Sequence, residues 1–196
     1  MYFCKWKSEI SANKKFTDCM VNELIHKYCQ GNEPLEQVLL RHSSDVARRA
    51  LRIAKAHPEL GADETFLWEA AMLHDIGITR VDAPAIHCFG TEPYIRHGLL
   101  GGEILRGEGM PRHARVAERH TGTGLTAAEI VRQNLPLPHQ DFTPESIEEQ
   151  IVCYADKFYS KIRLDIEKTP EQAIRSLEKF GSEGMAVFKA WMERFE

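Results

Sequence analysis

Apolar residues in this chain recur every three or four positions, and no stretch alternates convincingly at two. That period belongs to helices with one buried face, so sheet is not expected to organise the fold. Helices are expected over 17–29, capped by Thr17, and over 34–56, with Leu35, Val38, Leu39, Val46, Ala50 and Ile53 along one seam. A third starts at the cap Asp63 and ends near His74; others cover about 93–106 and the stretch from Pro111 to near His120. Thr126 and Glu129 form a capping box for a short helix. Thr143-Pro144 opens a long helix to about 165, and Thr169-Pro170 opens the next, which Gly181 and Gly184 interrupt before a last turn or two. The chain of 196 residues, 43% of them hydrophobic, suffices for one sizeable core. The expected architecture is all-α: a single domain over 34–196, with an N-terminal helix and linker, 1–33, loosely attached.

Ligand-type side chains fall into these apolar seams. His42 lies three residues after Leu39 and four before Val46. His74 continues the seam Leu67, Ala70, Ala71, with Asp75 beside it at the same helix end. His97 begins the seam Leu100, Gly101, Ile104; His120 ends Val116, Ala117; Asp156 interrupts the apolar run "IVCYADKFY". One buried histidine is met by one hydrogen bond, but four histidines and two carboxylates would each need a separate partner. A shared metal centre satisfies all of them and neutralises the acids. Imidazole with carboxylate suits borderline transition metals, whereas calcium and magnesium prefer oxygen. Gly98, Gly101 and Gly102, poor helix formers, fit either a crowded site or plain helix–helix contact.

Other features set limits. The five cysteines are scattered, with no Cys-x-x-Cys pair, so neither a zinc ribbon nor a disulfide framework is indicated. No run of about 18 apolar residues is present, and the start, "MYFCKWKSEISANKKF", lacks the apolar stretch of a signal peptide. A cytoplasmic location without a membrane is therefore expected. A formal net charge of −4 argues against a general nucleic-acid-binding surface.

The series His42, His74-Asp75, His97, His120, Asp156, with "IG" after the His-Asp pair and with "HGLLGGEIL" and "YADK" in place, resembles the HD/HDIG superfamily of metal-dependent phosphohydrolases in its binuclear form. The likeness covers about 35–165. "ERHTGTGLT" and "LPLPHQDFTPESIEEQIVCYADK" resemble a small bacterial and archaeal HDIG group, with a more distant likeness to symmetric dinucleoside-tetraphosphate hydrolases. The turn "HTGTG" and the basic residue after Asp156 depart from the latter, and no Gly-Tyr-Pro follows His120 as in cyclic-dinucleotide phosphodiesterases.

The resemblance implies an HD-domain helical bundle with a binuclear metal site in its core. It implies that His42, His74, Asp75 and Asp156 hold one ion and that Asp75, His97 and His120 hold the other. Two divalent transition-metal ions are expected, iron or manganese ahead of cobalt, nickel or zinc. Metal-bound water, its pKa drawn down toward about 7, would attack phosphorus in a small phosphorylated substrate such as a nucleotide. No nucleic-acid polymer is expected as partner. Asp75, Lys157 and His113 are the catalytic candidates; Arg80, Arg119, Thr121 and Thr123 are the substrate-binding ones. A binuclear-iron oxygenase and a metal-stabilised binding or regulatory module are the alternatives. Oligomeric state is open.

Overall fold

The computed structural model describes residues 19–164, 166–178 and 181–196, so the proposed cap Thr17 lies outside the described residues. The described part is mostly helical: α1 (19–29), α2 (Glu33–Ala56), α3 (Glu64–Leu73), α4 (His97–Gly107), α5 (Pro111–Arg119), α6 (Ala127–Arg132), α7 (Ile147–Asp156), α8 (Pro170–Ser176) and α9 (Gly181–Phe195). The caps explain many of the starts. Asn32 accepts from Leu35 N ahead of α2, and Asp63 accepts from Thr65 N and Phe66 N ahead of α3. Thr126 with Glu129 and Thr169 with Gln172 form full capping boxes.

Helix α2 packs on α3 and α7, and α4 packs on α5, around one main core. Val21, Ile25 and Cys29 of α1 are buried in that same core. The turn after α3 is tight against α4. A Cβ on Gly77 would meet His97 O at 2.0 Å and Gly101 N at 2.3 Å, so only glycine lets these backbones touch. Gly98 plays the same part against α5, where a Cβ would meet Ala117 O at 2.7 Å. These glycines thus serve the packing of the very backbone that carries the histidines.

Three features differ from the sequence reading. A two-stranded antiparallel ribbon, β1 (Asp82–Ala83) with β2 (Cys88–Phe89), forms in the connection before α4, each strand too short to leave a period of two. The long helix expected from Thr143 to about 165 begins at cap Ser146 and ends at Asp156; the Ser146–Glu149 capping box outcompetes Thr143-Pro144. Residues 157–164 then run irregularly, and Lys168 N donates to Phe158 O to close the segment. Finally, Gly181 opens a helix of 15 residues rather than interrupting one. Cys19, Cys29, Cys88 and Cys153 are free. Among the described residues, no helix is long and apolar enough to cross a membrane.

Candidate metal centre

Six side chains from five segments converge inside the bundle. His42 comes from mid-α2, His74 and Asp75 from the end of α3, His97 from the start of α4, His120 from the end of α5 and Asp156 from the end of α7. All are buried, His74 and Asp75 completely. They fall into two groups, His42, His74, Asp75, Asp156 and Asp75, His97, His120, each with its donor atoms within 4.8 Å of one another. Asp75 belongs to both.

Its two oxygens divide the work. Oδ2 lies 3.1 Å from His42 Nε2 and 3.1 Å from His74 Nε2. Oδ1 lies 3.4 Å from His120 Nε2 and 3.7 Å from His97 Nε2. Asp156 Oδ1 completes the first group, 3.0 Å from His42 Nε2 and 3.5 Å from His74 Nε2. Two donors each about 2.1 Å from a shared ion, at about 90–110° to one another, sit about 3.0–3.4 Å apart. The spacing therefore fits ligation.

The hydrogen bonds aim the lone pairs inward. The Nδ1 atoms of His74, His97 and His120 face the carbonyl oxygens of Ala71, Tyr94 and Ala117 at 2.6, 2.7 and 2.7 Å, in each case three residues back. With Nδ1–H donating, the neutral ring presents a bare Nε2. The Nε2 atoms of His97 and His120 then face each other at 2.9 Å, an arrangement that calls for a cation between or beside them. His74 Nε2, both ring nitrogens of His42 and both oxygens of Asp75 are buried without a hydrogen-bond partner. Orphans of this kind are costly unless something else is meant to meet them. The donor set thus suits metal ions.

Electrostatics divides the cluster. Burial works against a charged His74, but Asp75 and Asp156 lift its pKa to about 9. Burial and the neighbouring His120 push His97 down to about 3, and burial also lowers His120. Burial would raise the pKa values of Asp75 and Asp156, but Lys161, His74 and Lys157 hold both well below the usual carboxylate range.

The cluster opens on a cavity of about 460 Å³ whose walls include Tyr94, Thr121, Lys157, Tyr159, Lys161 and Lys168. Of the anticipated residues outside the cluster, Lys157 and Thr121 lie there. Lys157 Nζ is 2.6 Å from Asp156 Oδ2 and donates to His120 O at 3.0 Å. The others lie elsewhere. His113 pairs with Glu69 at 2.9 Å and stacks edge-on against Phe66. It shares a face with His120, but seven residues place it about 10 Å down the axis. Arg80 is exposed and reaches Glu103 at 3.5 Å. Arg119 donates to Thr143 O and pairs with Glu145, tying the α7 approach to α5. Thr123 is buried and does not line the cavity.

Lys161 is the residue that sequence reasoning missed. Its Nζ lies 2.6 Å from Asp75 Oδ2. Placed inside a helix expected to run to about 165, it carried no signal; the turn after Asp156 brings it back over the cluster.

The mostly helical bundle, with histidines and aspartates buried in its core in this order, is that of a known family, and the chain belongs to it: the HD-domain family matches residues 39–160. Among curated proteins, the tRNA (cytidine(56)-2'-O)-methyltransferase of Picrophilus torridus is 36% identical over 68% of this chain and 35% of its own length. The protein of the same name from Thermoplasma volcanium is 32% identical over 88% of this chain and 44% of its own. The uncharacterized protein MJ0778 of Methanocaldococcus jannaschii is 32% identical over 72% of this chain and 76% of its own. The chain thus spans less than half the length of the two methyltransferases. No solved structure matches.

These relatives correct two expectations. A hydrolase for small phosphorylated molecules, with its oxygenase and binding-module alternatives, has no counterpart in the two relatives whose names state an activity, which is methyl transfer to tRNA. The physical reason is that six ligands specify an ion and not the reaction it serves. The exclusion of a nucleic-acid polymer falls with it. A net charge of −4 is an average over the chain, whereas Lys157, Lys161 and Lys168 gather at one cavity.

Proposed function

We propose that this chain is a metal-dependent HD enzyme unit that acts on tRNA, in the setting of cytidine 2'-O-methylation. The observation that carries this is the likeness to two tRNA methyltransferases over 68% and 88% of the chain. The match takes in less than half of each, so in this reading tRNA is the partner taken over and methyl transfer is left to the whole relatives. A cytoplasmic location fits that partner.

In this reading His42, His74, Asp75 and Asp156 hold one divalent ion and Asp75, His97 and His120 the other. When bound, such ions, iron or manganese ahead of cobalt, nickel or zinc, would supply concentrated positive charge to ribose and phosphate oxygens. Lys157 and Thr121 line the approach. Tyr94, stacked on His97 at 4.8 Å between centroids, and Tyr159 also line the cavity, and aromatic side chains there would suit an unpaired base.

The test is binding of tRNA transcripts to the metal-free and Mn²⁺-loaded chain across a salt series. The loaded form should bind at least about tenfold more tightly, with affinity falling as salt rises. Equal affinity with and without metal, or none, contradicts the reading. A labelled methyl donor added to the same mixtures reports separately whether this chain alone modifies cytidine 56.

A further inference from the structure

The charges around Asp75 leave one group unexplained. Lys157 is matched to Asp156 at 2.6 Å and to His120 O at 3.0 Å. Lys161 comes from the irregular segment after α7, is largely buried, and places its Nζ 2.6 Å from Asp75 Oδ2. That oxygen is the one facing His42 Nε2 and His74 Nε2, each at 3.1 Å. It therefore belongs to the first ligand group. The contact has the distance of an ion pair, yet Asp75 Oδ2 has no partner in hydrogen-bond geometry.

An ammonium and a divalent ion cannot both sit closely on one carboxylate oxygen without strong repulsion at low dielectric. Lys161 also lines the 460 Å³ cavity together with Tyr94, so open space adjoins its side chain. Without metal each of the two carboxylates already faces a lysine, Asp75 facing Lys161 and Asp156 facing Lys157. Loading two divalent ions leaves a surplus of positive charge, and a displaced ammonium at the mouth adds to it. A phosphate group is the ligand that meets such a site.

We propose that Lys161 is a displaceable counter-ion, which holds Asp75 before metal loads and is turned out by the metal into the cavity, where it binds a phosphate group. The proposal rests on the metal reading above and goes beyond it, because it couples metal and anion binding through one side chain. Coupling of this kind is reciprocal: phosphate should tighten metal as metal tightens phosphate.

The experiment compares wild type, Lys161→Met and Lys161→Arg, each checked for folding by circular dichroism. Mn²⁺ affinity is measured by competition with a fluorescent chelator. Inorganic phosphate and a tRNA transcript are then titrated into the Mn²⁺-loaded proteins. Lys161→Met, having lost the competitor, should bind Mn²⁺ about tenfold or more tightly and the phosphate-bearing ligand about tenfold more weakly. Lys161→Arg, keeping the charge, should stay within about threefold of wild type in both. Loss of tRNA affinity identifies a backbone phosphate as the ligand; loss confined to inorganic phosphate identifies a free anion. Unchanged or weaker Mn²⁺ binding in Lys161→Met overturns the proposal and leaves the metal reading standing. Identical behaviour of Lys161→Arg and Lys161→Met overturns it too, since packing and not charge would then be responsible. Absence of Mn²⁺ binding in wild type overturns both.

Discussion

Asp75 presents one carboxylate oxygen to each half of the cluster, and His97 belongs to one half alone. Asp75→Ala should therefore lose both ions, while His97→Ala should keep about one per chain, as measured by metal analysis after dialysis. Equal retention in the two variants would remove Asp75 from its bridging position. The histidines also set a pH dependence for the metal-free chain. His74, lifted to about 9, contributes stability that is full below the unfolded value near 6.5 and lost as pH rises through about 9. His97, pushed down to about 3, contributes stability that is full above about 6.5 and lost as pH falls toward 3. Metal-free protein should melt highest near pH 6.5 and lower on both sides; a melt rising steadily from pH 6.5 to 9 would contradict these assignments. The six clustered side chains were legible because each sits three or four residues from an apolar neighbour on its helix. Lys161 was not, because no periodicity marks a residue that a turn folds back.

Elements hold these residues in place through short contacts and caps. Gly77 lies so close to α4 that any Cβ overlaps the His97 carbonyl, which would have to shift together with the ligand ring. Gly77→Ala should cost about 3 kcal/mol or more and weaken metal binding, read from denaturant melts and chelator competition. Ser146→Ala removes half of the α7 capping box and should cost about 1 kcal/mol with the metal affinity unchanged. The starts of α3, α6 and α8 could be seen in the sequence as Asp63, Thr126 and Thr169 before an amphipathic run, whereas α7 was expected to start at Thr143 rather than at Ser146. The end of α7 could not. No glycine or proline follows Asp156 until Pro170, and the run through Phe158 and Tyr159 stays apolar. What ends the helix is tertiary: Phe158 packs into the core, and Arg49 lies over its ring at 3.4 Å while pairing with Glu167. The β1–β2 ribbon, two residues a side, is below the length at which alternation can be recognised.

At the scale of the whole molecule the cluster is where α2, α3, α4, α5 and α7 meet, so ions held there should tie the bundle together. Metal binding to the folded state alone raises stability by mass action. Mn²⁺ at about a hundred times its dissociation constant should add about 2.7 kcal/mol, seen as a rise in melting temperature that a chelator reverses. An unchanged melt after verified metal removal would count against the account. The fold class was readable from periodicity, and the buried His/Asp cluster from the coincidence of six ligand types in apolar seams. The proposed tRNA partner was not readable, because whole-chain charge hides a local group of lysines and ligand identity does not name a substrate. The most direct measurement is anomalous diffraction from crystals grown with Mn²⁺. The account predicts two anomalous peaks about 3.5–4 Å apart, one on each side of Asp75, with His42, His74 and Asp156 around one and His97 and His120 around the other. Peaks placed away from these side chains, or none at all, would contradict it.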